Sequence, residues 1–166
     1  MNFIQCGRKL VMPEGPANAN ILLVGDAPTV FDVRAGRPWT GPGGTVLRTE
    51  LRRAGINYNN CRITNMWQHN KVKDCDPAMH IDAALKEMRN RRAILLMGAD
   101  AVHYFTGENV SEVSGLRVDE FPYAQEMLPE GVGVVYASVN AALALHDKLG
   151  EVRFAMEQFA KGYRRC

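Results

Sequence analysis

No stretch of this 166-residue chain approaches the ~20 consecutive apolar residues of a membrane-spanning helix. The N-terminal MNFIQCGRKL has no apolar core of the secretory kind. Both absences lead to the expectation of a cytoplasmic protein with no membrane partner. Cysteine is scarce: Cys6, Cys61, Cys75 and Cys166 are the four, and none stands in a C-x-x-C pair. Reduced thiols are expected, with Cys61 in the core and Cys166 exposed in the tail. Excess charge of one sign is nearly absent, with 20 Lys and Arg against 18 Asp and Glu. That balance permits nucleic-acid binding without predicting it. There is no Walker Lys-Ser/Thr and no G-x-G-x-x-G, which ranks a nucleotide- or phosphate-binding protein last among the readings. Internal repeats, low-complexity segments, a His–nucleophile pair and a trio of metal ligands are also missing from the pattern.

What is present is the composition of a soluble globular protein, 46% apolar and 23% charged, long enough to bury a core as one domain over residues 1–166. The chain is organised around ILLVGDAPTVFDVRAGRPWTGPGGTVL, Ile21 to Leu47. Ile21 to Val24 reads as a strand buried on both faces. Gly25-Asp26-Ala27-Pro28 ends it, because Pro28 pushes Ala27 out of the helical region. A loop dense in Gly and Pro follows, and a helix is expected from near Thr45 to Ala54, closed by Gly55. Further strands are expected at Cys61 to Thr64, Ala93 to Met97 and Gly133 to Ala137. Helices are expected at Pro77 to Asn90, Ala99 to Phe105 and Glu151 to Tyr163, with another opened by Ser138 to Leu143 and running through His146. Four buried strands alternating with helices predict an α/β fold, a three-layer α/β/α sandwich around a four-stranded parallel sheet.

In such a sheet the strand ends lie on one edge, where open α/β folds build their sites. Gly25 to Pro28, Asn65 and Ser138 each follow a predicted strand. The edge would then collect two carboxylates, Asp26 and Asp32, with Trp39, an amide and a hydroxyl. Each acid has a plainer reading as a loop carboxylate bonded to its own turn, and Asn65 as a turn residue. The Lys and Arg clusters, Arg48/Arg52/Arg53, Lys71/Lys73, Arg89/Arg91/Arg92 and Lys161/Arg164/Arg165, read singly as solvated faces, and as a phosphate track if several border one cleft. His80 and His103 read as surface or packing residues.

The run G-D-A-P, then Asp32, then G-R-P-W-T-G-P-G-G-x-x-L resembles the first motif of the uracil-DNA glycosylase superfamily. It is most similar to the bacterial and archaeal iron–sulfur branch, whose motif runs G-E-A-P-G, acid, G-x-P-F-x-G-x-A-G-x-x-L, with matching spacing from Gly25 to Leu47. I-T-N at Asn65 is similar to the second motif, and the resemblance runs from Ile21 to about Phe159.

The resemblance implies hydrolysis of the N-glycosidic bond of uracil, or a related damaged base, in DNA. Such enzymes belong to base excision repair and extrude the base into a pocket. It places Asp26, Asp32 and Ser138 in catalytic positions. It places Gly25, Ala27, Pro28, Trp39, Asn65 and Asn140 against the base, with Trp39 as the stacking aromatic. DNA is the implied partner of a monomer, with replication or repair proteins as further partners.

Three departures accompany the likeness. Thr29 replaces a Gly. Ser138-Val139-Asn140-Ala141-Ala142-Leu143 stands where the family has H-P-S-x-L-L, so Ser138 replaces a His. The cluster cysteines are incomplete: Cys6 stands alone in the leader, His69 occupies one cysteine position and Cys75 lies near another. A metal site of Cys6, His69 and Cys75 would have irregular spacing and no assigned fourth ligand, so no cofactor is expected. The trimmed motifs suggest a compact, phage-like member. The competing expectation is a glycosylase-fold protein that binds DNA or a repair partner without cleaving.

Overall fold

The computed structural model describes residues 7–70 and 75–166. Expectations for Cys6, Lys71 and Lys73 lie outside them. Strands β1 (Ile21–Gly25), β2 (Arg62–Asn65), β3 (Ala93–Met97) and β4 (Val134–Ser138) form one parallel sheet in the order β2-β1-β3-β4. The register sets Gly25 beside Asn65 and Met97 beside Ser138, so the expected site residues share one edge.

Successive residues of a strand face opposite sides, and both sides here are apolar. Ile21, Leu23, Ile63 and Leu95 pack with Leu47 and Leu51 of α2 (Pro42–Arg53) and with Met156 and Phe159 of α7 (Leu149–Arg164). Leu22, Val24, Ile94 and Leu96 pack with Ala84 and Met88 of α3 (Pro77–Met88) and with Val102 and Phe105 of α4 (Ala99–Thr106). Each fully buried Leu or Ile contributes about 1.5–3 kcal/mol. The three-layer α/β/α architecture follows from that two-sided burial.

Both outer strands are covered. The arm before β1 lies against β2, with Glu14 and Ile63 exchanging two backbone hydrogen bonds of 2.9 and 2.8 Å. Residues 115–118 run antiparallel beside β4, through Gly115 to Ala137 and Val118 to Val135, each at 2.8 Å.

Three α-helical pieces among the described residues were not foreseen. Thr29 and Asp32 form a capping box that starts α1 (Val30–Ala35), which Gly36 closes at φ 70°. In the polar stretch before β4 lie α5 (Val110–Val113) and α6 (Pro122–Met127). The α2 helix begins at Pro42 rather than Thr45, since proline suits the first helical position. One cationic cluster is structural. Arg91 is buried and donates to the carbonyls of Ala17, Ala19 and Glu87 at 2.7–2.9 Å. It precedes β3, on the edge opposite the site.

Candidate active site

Trp39 and Asn65 meet over Gly25. A Cβ on Gly25 would overlap the Asn65 Oδ1 and the Trp39 ring, so only glycine fits there. Trp39 holds a left-handed backbone at φ 57°, unusual for a bulky residue. Its carbonyl accepts from Arg48 Nη2 at 3.0 Å and lies against Gly44, which has no room for a side chain. The Trp39 indole Nε1 is buried without a hydrogen-bond partner among the described residues. Asn65 is 3% exposed, and no hydrogen bond to its side-chain amide is formed among the described residues. A buried donor left unmet beside that glycine is costly unless something occupies it.

The hollow in front of Trp39 holds about 260 Å³ and is walled by Ala27, Phe31, Asp32, Trp39, Gly43 and Asn140. A second hollow, about 430 Å³, adjoins it and is walled by Asp26, Ala99, Val139, Asn140, Leu143 and His146. Asn140, Ala142 and Leu145 border both. Asp26 thus approaches from the α4 side of the sheet, and Trp39 with Asn65 from the α2 side. Asp26 Oδ1 accepts from the Ala101 N–H at 2.8 Å in the first turn of α4. Its side chain lies against Gly98, whose φ of 125° and lack of a Cβ make the approach possible. The positive end of a helix is a favourable place for a carboxylate. Pro28 is buried beside the half-buried Asp26 and Ala27.

Asp32 is engaged inside its own loop. It accepts from Thr29 N at 3.1 Å, Thr40 N at 2.8 Å and Thr40 Oγ1 at 2.9 Å, and is 3% exposed. It holds the turn that aims Trp39, the plainer of its two sequence readings. Asp32→Ala would leave these donors unmet. It is expected to lower stability by about 1–3 kcal/mol, read as a lower urea midpoint at unchanged slope.

Ser138 was expected in a catalytic position. Its hydroxyl is fully buried, donates to Val139 O at 2.7 Å, and borders neither hollow. At the end of a strand, with the chain turning behind it, a short side chain finds its own backbone first. Asn140 accepts from Ala142 N at 2.9 Å and caps the 3-10 turn Ala141–His146.

Several residues near the site went unnoticed in the sequence. Phe31 and Leu145 are about half exposed at the rim of the first hollow. His80 is not on the surface. It is wholly buried, with Ala84 and Met88, on one stripe of α3, while Met79 is exposed. Burial, and then the neighbouring His69, pushes the His80 imidazole down to about 4. His69, Cys75 and His80 place ligand atoms within 4.8 Å of one another, a trio the sequence spacing did not suggest. Burial pushes the Cys61 thiol up to about 12, which suits an inert core residue.

The family model that matches is the Uracil DNA glycosylase superfamily, over residues 12–156. A type-4 uracil-DNA glycosylase of Pyrobaculum aerophilum is 26% identical over 121 residues, 66% of this chain and 62% of the relative. Another, of Thermotoga maritima, is 29% identical over 120 residues, with 66% and 62% covered. The chain spans less than two thirds of the length of these two relatives. The match of the family model across both sheet faces and the whole candidate edge carries the conclusion: this chain belongs to the uracil DNA glycosylase superfamily.

Proposed function

We propose that the chain cleaves the N-glycosidic bond of uracil in DNA, the first step of base excision repair. The observation that carries the proposal is the buried, unmet Trp39 indole N–H gathered with the Asn65 side chain over Gly25 at the strand ends. Asn65 offers both a donor and an acceptor, as the imide edge of uracil requires. The indole offers a stacking face and a second donor. Family membership and the names of the two relatives agree with this reading.

In the reaction the bond from C1′ to the base nitrogen breaks. The electron pair leaves with the base, and the sugar acquires oxocarbenium character until water adds. Asp26, held by the Ala101 N–H, is the carboxylate for the sugar cation and the entering water. Asn65 and the Trp39 N–H are the donors for the departing base anion. Asp32 positions the Trp39 turn and takes no part in bond breaking. A base reaches such a site only after leaving the stack. The exposed Phe31 and Leu145 at the rim are apolar side chains of the kind that wedge into an opened base step.

A second reading has a specific observation in its favour. Ser138 stands where the resemblance implies a His, and its hydroxyl is committed to Val139. A lost anion donor typically costs on the order of 10²–10³ in rate. On this reading the chain binds DNA without cleaving it.

One assay separates the two. Oligonucleotides bearing uracil, hypoxanthine or hydroxymethyluracil are incubated with the protein and then cleaved with alkali. The proposal expects strand breaks at uracil. Absence of breaks at excess folded protein, with DNA affinity that falls steeply as salt rises, establishes the binding reading instead.

A further inference from the structure

The segment between β2 and α3 carries a group of side chains that glycosidic cleavage does not use. His69 lies four residues beyond Asn65 and is 1% exposed. Its Nδ1 is 2.7 Å from the Asn70 carbonyl, which can only accept, so Nδ1 carries the hydrogen. The Nε2 lone pair then faces Cys75 Sγ at 3.3 Å. His80, in the first turn of α3, brings its own Nε2 to 3.4 Å from the same sulfur.

Gln68 orients His80. Its amide nitrogen donates to the carbonyls of Asn65 and Met66 at 3.0 and 3.1 Å and lies 3.5 Å from that of His80. The amide oxygen is thereby turned to His80 Nδ1 at 2.9 Å, which calls for a hydrogen there and a lone pair on Nε2. The Gln68 backbone N–H also lies 3.0 Å from Nδ1 and favours the opposite tautomer. The imidazole therefore has two available states, and a cation at Nε2 selects the first. Fixing a ligating imidazole through its other nitrogen is the usual outer arrangement of a metal site.

From this geometry we propose that His69, Cys75 and His80 bind a single thiophilic divalent cation of the zinc class. For bonds of about 2.3 Å to sulfur and 2.0–2.1 Å to nitrogen, a tetrahedron has N···S edges of about 3.5 Å. The two N···S separations, 3.3 and 3.4 Å, are close to that. Two imidazoles and a thiolate suit zinc rather than calcium or magnesium, which take oxygen.

The donor set does not fit the four-iron cluster that the resemblance implies, which takes four thiolates. Nor does it suit a two-iron centre with its imidazoles on one iron and its thiolates on the other, because both imidazoles border the same sulfur. The fourth corner is left to water. The ion would staple the start of α3 to the segment leaving β2, where Gln68 also holds the Asn65 carbonyl. The site thus supports the base-reading strand end, yet its existence does not depend on cleavage.

Titration of the untagged, metal-stripped full chain with Co²⁺ tests the proposal. It expects one Co²⁺ per chain, thiolate-to-cobalt charge-transfer absorption, tetrahedral visible bands, and displacement by Zn²⁺. Zn²⁺ should raise the melting temperature, and a chelator should return it. Cys75→Ser is expected to abolish the charge-transfer absorption and weaken Co²⁺ at least about a hundredfold, and Gln68→Ala to weaken it by about 10–100-fold. Cys166→Ser should change none of this. Circular dichroism establishes that each variant is folded. Absence of stoichiometric uptake overturns the proposal. So does charge-transfer absorption that survives Cys75→Ser, or purified protein carrying inorganic sulfide with more than one iron. Uracil release, measured separately, reports on the glycosylase reading alone.

Discussion

Uracil release by Asn65→Ala is expected to fall by on the order of 10²–10³, the usual effect of losing a preorganised donor to a developing anion. Its melting temperature should be little changed. The two expectations diverge because the Asn65 amide is nearly buried yet makes no hydrogen bond among the described residues. Removing it breaks no side-chain hydrogen bond among the described residues. A residue kept for stability behaves in the opposite way. The measurement is single-turnover release from a uracil oligonucleotide beside a thermal melt of the same preparation. A variant that releases uracil at the parent rate removes Asn65 from the mechanism, and with it the central support for the glycosylase reading.

Gly25→Ala is the second large effect, and it should strike activity and stability together. The added methyl has no space, since it would enter both the Asn65 amide and the Trp39 ring. The ring cannot retreat easily, because its backbone is held by Arg48 and confined by Gly44. Overpacking of this kind costs about 1–3 kcal/mol. Spreading Trp39 from Asn65 should reduce uracil release to background. Gly150→Ala serves as a control: nothing lies within 4 Å of its added carbon, and it sits inside α7, where alanine is the better helix former. It should be neutral or mildly stabilising. If Gly25→Ala melts and reacts like Gly150→Ala, Trp39 and Asn65 are not jointly placed by that glycine.

The sheet was legible because each strand is a short apolar run bounded by turn residues, and both faces are buried. Ile21 to Val24 and Ala93 to Met97 show this directly in their letters. Helix α1 was not legible. Its start depends on Thr29 bonding Asp32, an aspartate in the box position more familiar for Glu or Gln, and the surrounding Gly and Pro disguised it as loop. For α3 the helix was legible but its buried face does not follow its most apolar letters. Met79 and Leu85 are the more apolar residues, yet His80, Ala84 and Met88 form the buried stripe. A histidine can occupy a core position when its nitrogens find partners, and those partners, Gln68 and Cys75, come from another segment.

The site residues divide in the same way. Strand-end positions followed from topology, so Gly25, Asp26 and Asn65 fell on the predicted edge. The direction of each side chain did not follow. Asp32 and Ser138 turn to local backbone and hydroxyl partners, and Asp26 lies across the sheet from Trp39, with Asn140 bordering both sides.

The short antiparallel segments along β2 and β4 bear on how this molecule lives at high concentration. A lone parallel sheet presents two rows of unsatisfied amides that invite a foreign extended chain to join and propagate a fibril. Here Glu14 on one flank and residues 115–118 on the other already fill positions in those rows. A stray peptide must first evict part of the protein's own chain before it can stack, a kinetic hurdle against polymerisation supplied by only a few residues.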